Sequence, residues 1–350
     1  MPDNFNHLVE DLDNSKRYRP KEPKKVPMTR RAEYSKPENY IPDEGLVSAI
    51  RVALLLRKPL LLTGEPGTGK TDLASYLSWK LGHRDEKGEA RGPFLFESKS
   101  ASEGRDLFYR FNALGLFQAV QTGAGSKDPR DHVTFNALGE AIVRAHAPDT
   151  DVMKKLFSGS PPHKEASQSV VLIDEIDKAP RDFPNDVLNE IERMYFRIPE
   201  LGNQKVAAPE GMEPIVIITS NSEKSLPPAF LRRCVYYDIV FPDNRLEEIV
   251  SARIPEFKDT SQPLVRDALS FFRLCRAETT ALDKPPATGE LLDWLLALLL
   301  AGADSHQPLS AQRQILDWSL STLLKQPEDQ KRSKEIVDLW LAQGAKRASA

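Results

Sequence analysis

Cysteine is scarce in this chain: its 350 residues include two, Cys234 and Cys275. Cys234 stands beside arginines, and Cys275 lies in an apolar run with helical spacing. Two such residues do not make the disulfide framework of a small secreted domain. We therefore expect reduced thiols and a cytoplasmic protein.

Long apolar runs are missing as well. Residues 291–303 form an apolar run of thirteen residues, which contains Asp293 and is too short to span a bilayer. The first six residues contain no apolar core of the kind that signal peptides need. The sequence thus predicts no membrane insertion, in agreement with a cytoplasmic location.

A strong excess of charge of one sign is also absent. The net charge is −3, which excludes a chain built throughout as a polycation for nucleic acid. Locally, residues 16–31 carry eight basic residues and one acidic residue, a balance of +7. We predict that residues 1–38 form an extended basic arm, which is either a solvated tail or a contact for nucleic acid or an acidic partner.

What the sequence does contain is a glycine-rich loop after an apolar run. The motif G-x-x-x-x-G-K-[ST] is matched at every fixed position, and such loops cradle the phosphates of a nucleoside triphosphate. Glycines, which lack a Cβ atom, let successive backbone N–H groups turn towards phosphate oxygens. The residues predicted to bind the nucleotide are Gly64, Glu65, Pro66, Gly67, Thr68, Gly69, Lys70 and Thr71.

The last two residues of this loop carry most of its chemistry. Lys70 is a point charge for the β- and γ-phosphates, and the Thr71 hydroxyl is a ligand for the Mg²⁺ ion that bridges them. Residues 72–77 predict a helix whose N-terminus favours anions. The alternative is a glycine-rich turn that matches by chance, and the apolar run before it and the helical pattern after it argue against that.

Acidic residues follow a second apolar run, at 170–173. We predict that Asp174 holds Mg²⁺ at the edge of a sheet and that Glu175 polarises the attacking water. An acid pair alone often only ends a strand, but after a phosphate loop it indicates hydrolysis of the nucleotide. For Asp177 we predict a structural or helix-capping role.

Two later segments complete the set of candidate residues. Asn221 follows the apolar run 214–219 and is predicted either to orient the water and contact the γ-phosphate, or to form a turn. Arg232 and Arg233 precede the apolar run 235–240, and without the other motifs they would be a solvated pair.

The apolar runs also predict the fold class. Short runs nearly free of charge, separated by helical stretches, are typical of an α/β fold with a parallel sheet, in which ligands bind at the carboxyl ends of the strands. Strand patterns stop after Pro242. We predict a nucleotide-binding domain over 39–242 with an insert at about 101–168, helices over 243–342 and a flexible tail over 343–350.

In this order, the four motifs resemble those of the AAA+ ATPases, and in particular the MoxR-like branch, which is related to the dynein and midasin group. The resemblance covers roughly residues 38–300. It implies a P-loop NTPase (AAA+) sheet followed by a smaller all-helical lid, with ATP and Mg²⁺ as cofactors. It also implies a homo-oligomeric ring, usually a hexamer, in which Asn221 is the sensor 1 residue and Arg233, or else Arg232, reaches the γ-phosphate of the next subunit.

Two features depart from the pattern of that family. The segment 284–291, where its members place a lid arginine called sensor 2, contains no arginine, so sensor 2 is absent or replaced. The stretch from Thr71 to Ser169 is long for one strand and its helices. It contains Phe-Asn-Ala-Leu-Gly twice, at 111–115 and 135–139, which we interpret as the arms of an inserted hairpin. A second hairpin is predicted over 197–213.

The motifs and the resemblance together predict a MoxR-like ATPase that hydrolyses ATP with Mg²⁺ and remodels or assembles an unidentified protein client as a ring. Two alternatives stay open. One is an NTPase motor of the restriction or defence type that acts on nucleic acid, which the basic arm and the insert support. The other is an assembly scaffold with slow hydrolysis, which the missing lid arginine favours.

Overall fold

The computed structural model describes residues 36–85, 87–221 and 226–348. The chain divides into two compact units, one of which comprises Tyr40–Phe241, while the other holds residues 36–39 and the described residues from Pro242 onward. Residues 1–35 of the predicted basic arm, which include its segment of charge +7, lie outside the described residues.

The larger unit contains nine strands within its described residues. They are β1 (Leu60–Gly64), β2 (Phe94–Glu97), β3 (Tyr109–Phe111), β4 (Val133–Phe135), β5 (Val170–Asp174), β6 (Tyr195–Ile198), β7 (Gln204–Ala207), β8 (Ile215–Thr219) and β9 (Val235–Ile239). Five of them form one sheet in the order β2-β5-β8-β1-β9, and every pair in it is parallel. Strand β8 thus lies between β1 and β5, although it follows both in the chain.

The sheet is apolar on both faces, which explains why its strands are nearly unbroken by charge. Leu61 and Leu62 are neighbours in β1 and therefore point to opposite faces, yet both are fully buried. Leu61 belongs to an apolar cluster with Ile173, whereas Leu62 belongs to a second cluster with Leu172. This architecture confirms the predicted α/β fold with a parallel sheet.

The larger unit also contains eight α-helices within its described residues. They are α1 (Glu44–Leu56), α2 (Lys70–Lys80), α3 (Ala113–Thr122), α4 (Ala137–Arg144), α5 (Asp151–Leu156), α6 (Phe183–Asp186), α7 (Leu188–Arg193) and α8 (Pro228–Leu231). Helix α1 begins where the Asp43 carboxylate accepts a hydrogen bond from the N–H of Leu46 at 2.8 Å. It ends at Arg57, which has left-handed backbone angles. A carboxylate N-cap followed by a left-handed C-cap is a common way to delimit a helix.

Two antiparallel pairs of strands form hairpins that are not part of the main sheet. Strands β6 and β7 confirm the hairpin predicted over 197–213, with a first strand that begins at Tyr195. Strands β3 and β4 form the other hairpin. Each of these two strands ends on the phenylalanine of a Phe-Asn-Ala-Leu-Gly copy, and the alanine of each copy begins a helix. The repeated sequence is therefore a junction from strand to helix, and only its phenylalanine lies in a hairpin arm.

The asparagine of each copy makes a different hydrogen bond. The Asn112 side chain accepts from the N–H of Gly115 at 2.9 Å and so caps α3. The Asn136 amide instead donates to the carbonyl oxygen of Asp106 at 2.6 Å. The final glycine of the second copy, Gly139, is packed against backbone: a Cβ atom there would lie 1.9 Å from the carbonyl oxygen of Phe108.

The described residues of the smaller unit form helices joined by turns and irregular segments, with no strand. Its helices are α9 (Leu246–Arg253), α10 (Pro263–Arg276), α11 (Thr288–Leu300), α12 (Arg313–Ser319), α13 (Pro327–Lys331) and α14 (Ser333–Ala348). Helix α12 ends at Ser319, whose hydroxyl donates to the carbonyl oxygen of Leu316 at 3.0 Å and accepts from the indole N–H of Trp294 at 2.9 Å. Helix α14 runs through most of the segment for which a flexible tail is predicted.

Within the described residues, no helix has both the length and the apolar character that crossing a bilayer requires.

The close approach at Gly139 makes a test of the packing between α4 and Phe108, the residue before β3. We expect Gly139→Ala to lower the free energy of unfolding by about 1–3 kcal/mol, because the added methyl group meets a backbone oxygen that cannot rotate away. Urea denaturation followed by circular dichroism measures this change. Gly92→Ala is the matched control, since nothing lies within 4 Å of a Cβ atom there. Equal stability of the two variants would contradict the packing described.

Candidate functional site

The glycine-rich loop joins β1 to α2 and depends on glycine at its start. Gly64 has φ +131°, and a Cβ atom on it would lie 2.4 Å from the carbonyl oxygen of Ile239 in the neighbouring strand. At its end, Gly69 has φ +88° and directly precedes α2. Side chains are strained at such angles, so the loop keeps this shape with glycine at these two positions.

The Lys70 side chain lies inside this loop. The residue is 6% exposed, and its ammonium donates to the carbonyl oxygens of Gly64 at 2.8 Å and Glu65 at 3.0 Å. Burial lowers the pKa of the ammonium, while the negative charges of nearby carboxylates, Asp174 first among them, act in the opposite direction. The loop therefore holds a cation at its centre, opposite acidic residues from other strands.

Thr71 and Asp174 are brought together from opposite sides of β8. The Thr71 hydroxyl donates to the Asp174 carboxylate at 3.2 Å. A second hydroxyl, that of Thr219 at the end of β8, donates to the same carboxylate at 2.5 Å. A hydroxyl and a carboxylate are hard oxygen ligands of the kind that Mg²⁺ prefers, so the residues predicted to hold the metal fit it in chemistry and in position.

Glu175 is held by groups from two segments. Its backbone is left-handed, with φ 52°, and its N–H donates to the Thr219 hydroxyl at 2.8 Å. One carboxylate oxygen accepts from the Asn221 side-chain amide at 3.0 Å, and the other accepts from the Lys178 ammonium at 2.5 Å. The structure thus brings the two residues predicted to act on the water, Glu175 and Asn221, into direct contact.

Asp177 faces the same end of β8. It lies in a single 3₁₀ turn, Ile176–Lys178, and is 3% exposed. One carboxylate oxygen accepts from the backbone N–H of Asn221 at 3.2 Å. The sequence predicts a structural or helix-capping role for Asp177. Its carboxylate bonds the backbone two residues beyond the end of β8.

Arg232 and Arg233 lie between α8 and β9 and differ in their surroundings. The Arg233 guanidinium pairs with Glu192 at 2.7 Å and donates to the carbonyl oxygen of Ala229 at 3.1 Å. The Arg232 side chain is exposed, and it forms no hydrogen bond or ion pair within the described part of the chain. Neither guanidinium bonds to the loop or to the acidic residues after β5 in its own chain.

The ring of Tyr40 packs beside the glycine-rich loop. Its edge lies 3.1 Å from the position that a Cβ atom on Gly69 would occupy, and its centroid is 5.5 Å from that of Tyr76 in α2. The structure thus places an aromatic ring beside the end of the glycine-rich loop.

The sequence motifs did not reveal two residues of this site, Thr219 and Lys178. Thr219 bonds both Asp174 and Glu175, and Lys178 pairs with Glu175. A hydroxyl residue at the end of a buried strand is a weak signal by itself. It gains meaning only from the strand order, which places β8 beside β5.

Comparison with protein families assigns the larger unit. Residues 59–234 match the model of the AAA domain, dynein-related subfamily. The chain belongs to this family. The matched segment includes the glycine-rich loop, the acidic residues after β5, Asn221 and both arginines. No curated protein sequence matches the chain at a significant level.

Membership in the AAA family makes the chain a P-loop NTPase. AAA ATPases in general use ATP with Mg²⁺ and usually assemble into rings. The loop with its central Lys70, and the hydroxyl and carboxylate oxygens of Thr71 and Asp174, are the features of this AAA domain that fit a magnesium nucleotide.

The hydroxyl of Thr219 provides a test of how the site is held together. Thr219→Val keeps the shape of the side chain but removes the partner of the Glu175 N–H and leaves the Asp174 carboxylate with the Thr71 hydroxyl alone. We expect it to lower the free energy of unfolding by about 1–3 kcal/mol, as measured by urea denaturation. Thr219→Ser, which keeps the hydroxyl, should lose clearly less stability. Equal losses in the two variants would mean that the hydroxyl does not stabilise the site.

Proposed function

We propose that this protein is a MoxR-like AAA+ ATPase that hydrolyses ATP with Mg²⁺ and uses the energy to remodel or assemble a protein client, working as a ring. One observation carries the proposal. A phosphate-binding loop with a buried cation, a pair of oxygen ligands for a divalent cation, and a carboxylate held by an amide converge at the carboxyl ends of β1, β5 and β8. Ligands of open parallel sheets bind at this edge.

Each part of the loop has a role in binding. The residues from Gly64 to Thr71 surround the phosphates with backbone N–H groups, and the Lys70 ammonium exchanges the carbonyl oxygens of the loop for phosphate oxygens. Thr71 and Asp174 would hold the Mg²⁺ ion, which would neutralise charge on the triphosphate. Thr219 keeps the Asp174 carboxylate aimed at Thr71.

Glu175 acts as the base that takes a proton from the attacking water, and Asn221 orients the carboxylate and the water. Both carboxylate oxygens of Glu175 have a protein donor. The Lys178 ammonium is about half exposed, and ion pairs of exposed side chains are worth little in water. The oxygen bonded to Lys178 is therefore the one that can leave its partner and accept from the attacking water with little loss of free energy.

The glutamine variant of Glu175 tests hydrolysis separately from binding. Glu175→Gln keeps the size of the side chain but cannot accept the proton, so we expect it to bind ATP as the parent protein does and to hydrolyse it about 10²- to 10⁴-fold more slowly. Binding is measured by calorimetry with ATP and Mg²⁺, and hydrolysis by phosphate release. Glu210→Gln, an exposed change in the same unit, is the control. Normal turnover by Glu175→Gln would remove Glu175 from its role.

The arginines support a site that is shared between copies. Charge that spreads over the transferred phosphoryl group calls for a cation besides Lys70, and neither Arg232 nor Arg233 bonds the site residues of its own chain. Arg233 fits the motif of the MoxR-like branch better, but it is tied to Glu192. Arg232 is exposed and is available to a second chain without the loss of an ion pair.

Mixing two inactive variants tests the shared site and separates the two arginines. Glu175→Gln chains cannot hydrolyse ATP but keep both arginines. They should therefore restore hydrolysis to chains that lack only the arginine finger, the arginine that contacts the γ-phosphate bound by a neighbouring chain. We expect either Arg232→Ala or Arg233→Ala to lower the rate by on the order of 10³- to 10⁵-fold and to recover activity in the mixture. The steady-state rate of phosphate release measures both effects.

The control for this mixture uses chains with Glu175→Gln together with the same arginine substitution, which should restore nothing. If neither arginine variant recovers, the arginines do not act on a neighbouring chain. If both keep full activity alone, neither is a finger.

A protein client is supported by helix α3 of the inserted segment. Leu114, Phe117 and Val120 follow helical spacing, and each is more than half exposed. The helix itself carries no charged residue. An apolar, uncharged surface suits contact with a protein, whereas the phosphates of nucleic acid require lysine and arginine.

A further inference from the structure

We propose that Asp177 is a positioning residue for hydrolysis: its buried carboxylate fixes the backbone of Asn221 and thereby sets the Asn221 amide against Glu175. The inference rests on the proposed ATP hydrolysis and assigns a role to the third acidic residue of the segment after β5. Asp177 itself does not bond any of the residues that hold the nucleotide or the metal ion.

The hydrogen bonds around Asn221 form a closed arrangement. The N–H of Asn221 donates to Asp177 at 3.2 Å, and its side-chain amide donates to Glu175 at 3.0 Å. Both acceptors belong to the same short turn. Asn221 is therefore held at its backbone and at its side chain by residues two positions apart, so a shift of one contact displaces the other.

These two hydrogen bonds are needed because the backbone conformation at the start of the turn is unfavourable. Glu175 has φ 52°, a left-handed conformation that a residue with a long side chain rarely adopts and that must be maintained by its surroundings. Thr219 holds the N–H of Glu175, and Asp177 holds the other side of the turn against the end of β8. Together they align the carboxylate of Glu175 with the amide of Asn221.

Asp177 is buried, so its carboxylate is not simply a hydrated charge on the surface of the protein. The residue is 3% exposed, and its second carboxylate oxygen has no hydrogen-bond partner among the described residues. A buried, partly unpaired carboxylate opposes folding. An apolar residue would fill the same space without that cost but would not accept the N–H of Asn221, so packing alone does not account for an acidic residue here.

Two substitutions at position 177 test the proposal. Asp177→Asn retains an oxygen that accepts the N–H of Asn221, whereas Asp177→Ala removes it. We expect the turnover number of Asp177→Ala to fall about 10- to 100-fold with little change in the KM for ATP, because misplacement by about 1 Å has such an effect on a catalytic group. Asp177→Asn should retain most of the turnover number. Asp182→Ala, an exposed acidic residue nearby, is the control and should behave as the parent protein does.

The double variant Asp177→Ala with Asn221→Ala distinguishes positioning from general damage. If Asp177 acts only through Asn221, the double variant should be no slower than Asn221→Ala alone. Losses that multiply, or a turnover number unchanged in Asp177→Ala, would overturn the proposal. If Asp177→Ala does not fold, Asp177→Asn still decides: a loss as large as that of Asn221→Ala would show that the hydrogen-bond acceptor is not what matters.

The parent protein and Glu175→Gln are measured in the same assay. Absence of hydrolysis by the parent protein would count against the proposed function. Hydrolysis by the parent and its loss in Glu175→Gln, combined with normal turnover in Asp177→Ala, would count against the role of Asp177 alone.

Discussion

The position of β8 between β1 and β5 is the constraint on which the site depends. Parallel pairing aligns the carboxyl ends of the three strands, so the loop after β1, the acidic residues after β5 and the polar residues after β8 all leave the sheet at one edge. Thr219 ends β8 and is therefore close enough to bond both Asp174 and Glu175. If β1 and β5 were direct neighbours, no strand would carry a hydroxyl and an amide between the loop and the acidic residues.

Charge at this edge is balanced within the larger unit. Burial lowers the pKa of the Lys70 ammonium, and the carboxylates of Asp174, Asp177, Glu175 and Asp238 act in the opposite direction. A buried cation without such neighbours would be costly. The same carboxylates repel one another, and the hydrogen bonds from Thr71, Thr219 and Asn221 spread that charge over neutral donors. Charged groups are thus kept close together and oriented before a nucleotide adds its own charge, which is what electrostatic preorganisation requires.

Local signals in the sequence account for much of this architecture. The loop from Gly64 to Thr71 is recognisable because its glycines and its lysine are contiguous, and the sheet is recognisable because strands buried on both faces have to be apolar. Contacts between distant segments left no such signal. The bonds of Thr219 depend on strand order, and the pair of Arg233 with Glu192 joins residues 41 positions apart. The copies of Phe-Asn-Ala-Leu-Gly predicted a hairpin, but the identity of the two sequences did not reveal that Asn112 and Asn136 make different bonds.

The two arginines bear on how a second chain would complete the proposed site. Among the described residues, the cation held inside the loop is Lys70, and in the proposed reaction it would meet the charge of the β- and γ-phosphates together with a metal ion. Arg233 is neutralised by Glu192, whose carboxyl pKa the guanidinium lowers, whereas Arg232 faces solvent. A chain that keeps one arginine paired and the next one exposed can bind a nucleotide before a second chain arrives. If the site is shared between copies as proposed, the rate of hydrolysis would depend on assembly, because the additional cation would come from the arginine of another copy.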